Sequence, residues 1–175
     1  MRGIMIALEG LDFVGKTTIA KMIGPKNSWV YYKTPPKIFF SRCTRLTTKG
    51  APSFSEKKFL LFIKSLEYAS VEIHKLLENE ISVVVDRWIW TTLSYHFAFN
   101  DRLRKKWIMG WKYLISGKII EPNKSFLIHI SNENERLNWM VGRVVTPHDK
   151  KVMSNKKNRR FNLFKNYRHR RKWKS

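Results

Sequence analysis

The sequence predicts an α/β fold in which helices flank a mostly parallel sheet, and three observations carry that expectation. Short apolar runs alternate along the chain with longer segments of helical periodicity, the pattern of successive βαβ units. The runs at 4–8 and 81–85 are almost wholly apolar without alternation, as strands buried on both faces are. Gly10, Gly15, Lys16 and Thr17 have the G-x-x-x-x-G-K-[ST] spacing and join the first run to a helix. In such sheets ligands gather at the carboxyl ends of the strands.

Residues 4–8 form the first strand, Ile-Met-Ile-Ala-Leu, and 17–23 the helix after the glycines. A second strand at 29–32 ends before Pro35 and Pro36, which force an extended turn. A short helix at 38–48 precedes a break at 51–53. Ser53 and Glu56 then have the spacing of a capping box and open a long helix that runs to about Asn79. Phe59, Ile63, Leu66, Ile73 and Leu77 recur there at helical spacing as one stripe, with Phe62, Leu66 and Ala69 in a neighbouring row. The third strand, 81–85, ends in Asp86-Arg87. Helices at 90–97 and 101–114 meet near Asn100, a loop covers 117–124, and 126–130 is the fourth strand. A helix at 132–141 carries Glu133 and Glu135 near its start, where the helix dipole favours acidic side chains. Residues 142–153, with Gly142 and Pro147, read as a loop, and the basic stretch beyond is helical at best.

At 175 residues the chain is one domain with room for a full core. Its single cysteine, Cys43, excludes an internal disulfide framework and suits a reducing compartment. No run has the length to span a bilayer, and the first apolar run is too short for a signal peptide, so a cytoplasmic protein without a membrane partner is expected. The charge is the outlier. With 35 Lys and Arg against 13 Asp and Glu the net charge is +22, and 150–175 alone hold twelve basic and no acidic side chains. That surface either attracts polyanions, nucleic acid among them, or is the solvated basic helix of a lysine-rich chain.

The glycine motif carries the chemistry. A loop between a buried strand and a helix N-terminus presents unpaired backbone N–H groups and the positive end of the helix dipole to phosphate oxygens. Gly10, Leu11, Asp12, Phe13, Val14, Gly15, Lys16, Thr17 and Thr18 are therefore expected to hold a nucleoside triphosphate in a P-loop NTPase three-layer fold. Lys16 supplies a point charge to the β- and γ-phosphates, and the Thr17 hydroxyl a ligand for Mg2+. Asp86, at the end of the third strand, can orient the magnesium or its waters. Arg87 beside it can grip a phosphate with a bidentate fork, although an Asp-Arg pair alone reads equally as a strand-end salt bridge. Both motifs lie at carboxyl ends of strands, so they should face one cleft.

The string Asp-Arg-Trp-Ile-Trp-Thr-Thr-Leu-Ser-Tyr-His at 86–96 resembles the Asp-Arg-Tyr/His motif and following helix of the thymidylate kinases. Leu-Glu-Gly-Leu-Asp-Phe-Val-Gly-Lys-Thr resembles the phosphate loop of the same family, and Glu121-Pro122-Asn123 its Pro-Asp-Leu segment with Asn for Asp. The likeness covers roughly residues 3–143. It implies transfer of the γ-phosphoryl group of ATP to a deoxynucleoside monophosphate, most simply dTMP to dTDP. It also implies that Asp12 meets the sugar 3′-hydroxyl or the magnesium shell, and that Lys37 and Arg87 hold the acceptor phosphate. Phe62 would stack on the base unless it belongs to the core, and Thr91 and Tyr95 would line the base and sugar pocket. An uncompensated Arg87 guanidinium is expected at the cleft. Arg143, or failing that Arg136, would be the lid arginine, with residues 1–150 forming the kinase core, 142–153 its lid, and 151–175 a basic tail of the same domain. Family members often pair through their long helices, so a homodimer is compatible with the likeness.

Four departures stand out. Phe13 occupies a position where one branch of the family has an arginine. Leu66 sits one turn after Phe62, where the family usually has the arginine that reads the thymine carbonyl, which leaves base selection open. Lys37 replaces Arg and gives up the planar fork. Finally, four strands are recognisable but a fifth edge strand is not, so the basic tail or a partner subunit is expected to cover the fourth. A kinase acting on another nucleoside or nucleotide, and a degenerate P-loop protein binding nucleotide or nucleic acid through its basic surface, are the competing readings.

Overall fold

In this computed structural model, residues 2–48, 55–105, 112, 116–132, 134 and 138 are described. Strand β1 (Met5–Glu9) leads through the glycine loop into α1 (Lys16–Lys26) and then β2 (Val30–Lys33). Helices α2 (Lys37–Thr48) and α3 (Glu56–Glu78) precede β3 (Val83–Asp86). Helices α4 (Ile89–Phe99) and α5 (Asp101–Lys105) follow, and β4 (Lys124–Leu127) is the last strand among the described residues. All strand pairs are parallel, in the order β2-β3-β1-β4. The sequence prediction of a parallel sheet flanked by helices is what the fold shows.

The uninterrupted apolar character of β1 and β3 has a direct cause. Met5 and Ala7 of β1, with Val83 and Val85 of β3, pack against Phe59, Ile63, Leu66, Ile73 and Leu77 of α3 and against Trp88, Leu93 and Phe97. The alternate residues Ile6, Leu8 and Val84 point the other way, onto Ala20 of α1. Helices thus cover both faces of the central strands, which removes the polar alternation that a half-solvated strand would show. Every residue of the predicted α3 stripe is buried.

Several boundaries move by one to three residues from expectation, and two of the shifts have identifiable reasons. β4 runs from Lys124 to Leu127 rather than over 126–130; its first two residues, Lys124 and Ser125, are polar and exposed, and only Leu127 begins to turn inward. A strand that is exposed along most of its length carries little apolar signal. Helix α3 is capped by Ser55, whose hydroxyl accepts from the Lys58 N–H at 3.4 Å, so the capping box expected from Ser53 is replaced by a serine two residues on; Ser53 lies outside the described residues. Most of the helix expected at 132–141, the lid at 142–153 and the basic tail also lie outside them. No helix of the described residues is long and apolar enough to cross a membrane.

Candidate active site

Parallel pairing aligns Leu8 of β1 with Asp86 of β3, so the residues that follow each strand leave the sheet side by side. From β1 come the glycine loop and the first turn of α1. Gly10 has φ 140°, and a Cβ there would lie 2.2 Å from the carbonyl oxygen of Ile128, so only glycine lets the loop pass the end of the fourth strand. Gly15, φ 84°, is the N-cap of α1 and has no side chain to obstruct an anion. Phe13 also adopts a left-handed backbone, φ 64°. Val14 is buried under the loop, Leu11 and Thr17 are half-buried, and Thr18 is exposed.

Lys16 is buried, and its ammonium donates to the carbonyl oxygen of Leu11 across the loop. Burial and the nearby Arg87 guanidinium depress its pKa to about 8, against the opposing pull of Asp12, Asp86 and Glu9. Thr17 Oγ1 donates to Asp86 Oδ2 at 2.5 Å, and the Tyr31 hydroxyl of β2 donates to the same oxygen at 3.4 Å. Burial and the Asp86 charge push Tyr31 up to about 12. The other oxygen, Asp86 Oδ1, is buried with no hydrogen-bond partner. A hydroxyl and a carboxylate in contact at the foot of α1 form a hard donor set, which suits Mg2+ and its waters. Among the described residues, no group of three His, Cys, Asp or Glu could hold a metal by itself.

The end of β3 is built around Arg87. Its backbone is left-handed, φ 73°, an uncommon conformation for a side chain of this size, and neighbouring elements hold it there. The Arg87 N–H donates to Leu8 O at 3.0 Å, and its carbonyl accepts from Thr34 Oγ1 at 2.7 Å. The guanidinium pairs with Asp12 Oδ1 and sits 5.8 Å from the Tyr95 ring centroid. Tyr95 donates its hydroxyl proton to Asp12 Oδ2 and accepts from the Asp12 N–H at 3.0 Å. The expectation of an uncompensated guanidinium is therefore corrected: Asp12 neutralises it. Burial alone would raise the Asp12 carboxyl, but Arg87, the Tyr95 hydroxyl and Lys16 outweigh it and hold the group well below the usual carboxylate range. The same pair raises the Arg87 pKa against the opposing effect of burial. The Arg87 side chain remains 28% exposed and that of Asp12 13%, so solvent reaches the pair.

The remaining candidates divide by position. Lys37 is exposed on the first turn of α2, three residues after Thr34. Phe62 is half-buried on α3, with its ring edge-on to His96 at 5.3 Å between centroids. Leu66 is fully buried in the core, as its place in the stripe implies. Thr91 is buried and directs both its N–H and its hydroxyl to Glu9, so these donors face the base of the loop. Arg136 and Arg143 lie outside the described residues. Asn123 Oδ1 accepts from the Met5 N–H at 2.7 Å and so fixes the entry of β1. Glu9, Tyr31 and Thr34 are the site-forming residues that sequence reasoning passed over. Of these only Glu9, immediately before Gly10, carried any signal, as an acidic residue at the end of an apolar run.

No family model matches the chain. A thymidylate kinase of African swine fever virus is 32% identical over 127 residues, which are 67% of this chain and 53% of that relative. A probable thymidylate kinase of Pyrococcus abyssi is 32% identical over 121 residues, 62% of this chain and 58% of the relative. The chain thus spans about half the length of the curated relatives it matches. The solved structure of thymidylate kinase from Candida albicans superposes with a TM-score of 0.69 at 20% identity, covering 92% of this chain and 77% of that one. Its fold agrees with the parallel sheet described above, and the sequence matches support a thymidylate kinase family assignment for the chain.

Proposed function

We propose that this chain transfers the γ-phosphoryl group of ATP to the phosphate of a deoxynucleoside monophosphate, with dTMP as the favoured acceptor. The observation that supports this most is the adjacency of two anion-binding ends: Lys16 and Thr17 after β1, and Arg87 after β3, bridged by the Thr17–Asp86 and Asp12–Arg87 contacts. An oxygen of the acceptor phosphate attacks the γ-phosphorus while the bond to the β–γ bridging oxygen breaks, giving the diphosphate and ADP. No protein nucleophile is required, so positioning and charge neutralisation supply the catalysis. Lys16 exchanges its contact with Leu11 O for phosphate oxygens. Arg87 turns its remaining N–H donors towards the acceptor phosphate while Asp12 keeps hold of one edge. Thr17 and Asp86 would hold magnesium, which when bound neutralises charge on the triphosphate.

The acceptor specificity belongs to the proposal because Leu66 lies in the core and no guanidinium stands at that position. The proposal extends to a cytoplasmic protein, to pairing through α3, which exposes Tyr68 and Val71, and to nucleic-acid affinity through the basic stretch at 150–175. Incubating the protein with ATP, magnesium and each monophosphate in turn, and following ADP, tests the central reading. We expect dTMP to give the largest rise over the rate with ATP alone. No rise with any monophosphate would overturn it.

A further inference from the structure

We propose that Glu9 is a positioning residue: its carboxylate, delivered from the end of β1, is the N-terminal cap of α4, and through that cap it holds Arg87 where the acceptor phosphate is met. The last clause rests on the phosphoryl-transfer reading; the cap itself does not.

The N-cap residue of α4 is Trp88, whose indole offers no acceptor to the first turn, and α4 has no acidic residue in that turn. Helix starts of this kind leave several N–H groups without partners. Glu9 supplies the missing acceptors. Its Oε2 accepts from Trp88 N at 3.2 Å, Thr91 N at 2.9 Å and the Thr91 hydroxyl, while its Oε1 accepts from Trp90 N at 3.1 Å. The cap position and the second and third helical residues are thus all satisfied by one side chain about 80 residues away in sequence. Glu9 is 2% exposed, a costly place for a carboxylate unless its oxygens are hydrogen-bonded as they are here.

The geometry reaches Arg87 directly. Leu8 O holds the N–H of Arg87, and the next residue, Glu9, holds the N–H of Trp88. Two consecutive residues of β1 therefore bracket the left-handed Arg87 from both sides, with Thr34 securing its carbonyl. The same strand end continues into Gly10 and Asp12, the partner of Arg87. Tyr95, one turn beyond Thr91 on α4, completes the contact with Asp12. Loss of the Glu9 cap would loosen Arg87 and Tyr95 together, whereas Lys16 and Thr17, on the first turn of α1, hydrogen-bond to Leu11 and Asp86 and meet Glu9 only through its charge on Lys16.

Glu9→Gln is the sharpest test. Whichever way the amide turns, an NH2 group faces either the Trp90 N–H or the Trp88 and Thr91 donors, which cannot then be satisfied. In the full chain, amide hydrogen exchange at Trp88, Trp90 and Thr91 should accelerate by about tenfold or more while β3 stays protected. Equilibrium binding of dTMP should weaken by about tenfold, and that of ATP by less than about threefold. Unchanged exchange at the start of α4 would overturn the cap. Equal losses of dTMP and ATP affinity would overturn the link to the acceptor side and leave a general structural role. If Glu9→Gln does not fold, Thr91→Val removes one donor to the same carboxylate and should move both readouts in the same direction by about two- to fivefold. A wild-type protein that binds no monophosphate would refute the functional reading alone, because the exchange measurement still decides the cap.

Discussion

Lys16 shows what the site costs the fold. Its ammonium is buried and its pKa falls from 10.5 to about 8, mainly through desolvation and then through Arg87. A lysine whose folded pKa is depressed binds its proton less well in the folded protein than in the unfolded chain. Stability therefore rises as pH passes from about 8 to 10.5, and below that window the charged lysine is a burden. Lys16→Met should abolish phosphoryl transfer yet raise stability at pH 7, by on the order of 1–3 kcal/mol, with the advantage shrinking above pH 8. Denaturant melts of both proteins at pH 7 and pH 10 check this, and a Met variant that is less stable at pH 7 would contradict it. The side chains of the glycine motif and of Asp86-Arg87 were legible because their chemistry is tied to fixed spacing. The pairing of Asp12 with Arg87 and Tyr95 was not, since it joins positions 75 and 83 residues apart that no local pattern connects.

Among the elements, α3 was read most faithfully. Its stripe obeys helical periodicity because one face packs on Met5, Ala7, Val83 and Val85 while the other meets solvent. Leu66 belongs to that stripe, which gives its departure from the family pattern a physical reading. Replacing it with the family's arginine would bury a guanidinium among Phe59, Ile63 and Trp88 without a partner. Leu66→Arg should destabilise the fold by more than about 3 kcal/mol. Thermal denaturation measures this, and a stable, more dTMP-selective variant would show that the helix can rotate the position into the cleft. The start of α4 was placed within one residue, but its cap was not legible, for the opposite reason. Its cap comes from another strand, so Trp88-Ile89-Trp90 carries none of the serine, threonine or aspartate signals that mark helix starts. β4 was displaced because its first two residues, Lys124 and Ser125, are polar and exposed and lack the apolar signature that made β1 and β3 plain.

For the whole molecule, charge dominates. A net +22 on 175 residues should give the protein a long-range attraction for any polyanion, independent of the cleft. Binding to single-stranded DNA should weaken linearly in log affinity against log salt. Replacing Arg168, Arg170, Arg171, Lys172 and Lys174 with glutamine should reduce that slope by up to about 3, without altering ATP affinity. A slope unchanged by these five replacements would move the attraction to the rest of the surface.

The parallel pairing of β1 with β3 has one further effect. Neighbouring strands lie about 4.8 Å apart, a spacing set by backbone hydrogen bonds and insensitive to which side chains the strands carry. Lys16 and Thr17 after β1, and Arg87 after β3, inherit that ruler. Substitutions at Leu66 or Lys37, neither of which lies on these strands, would leave the spacing unchanged.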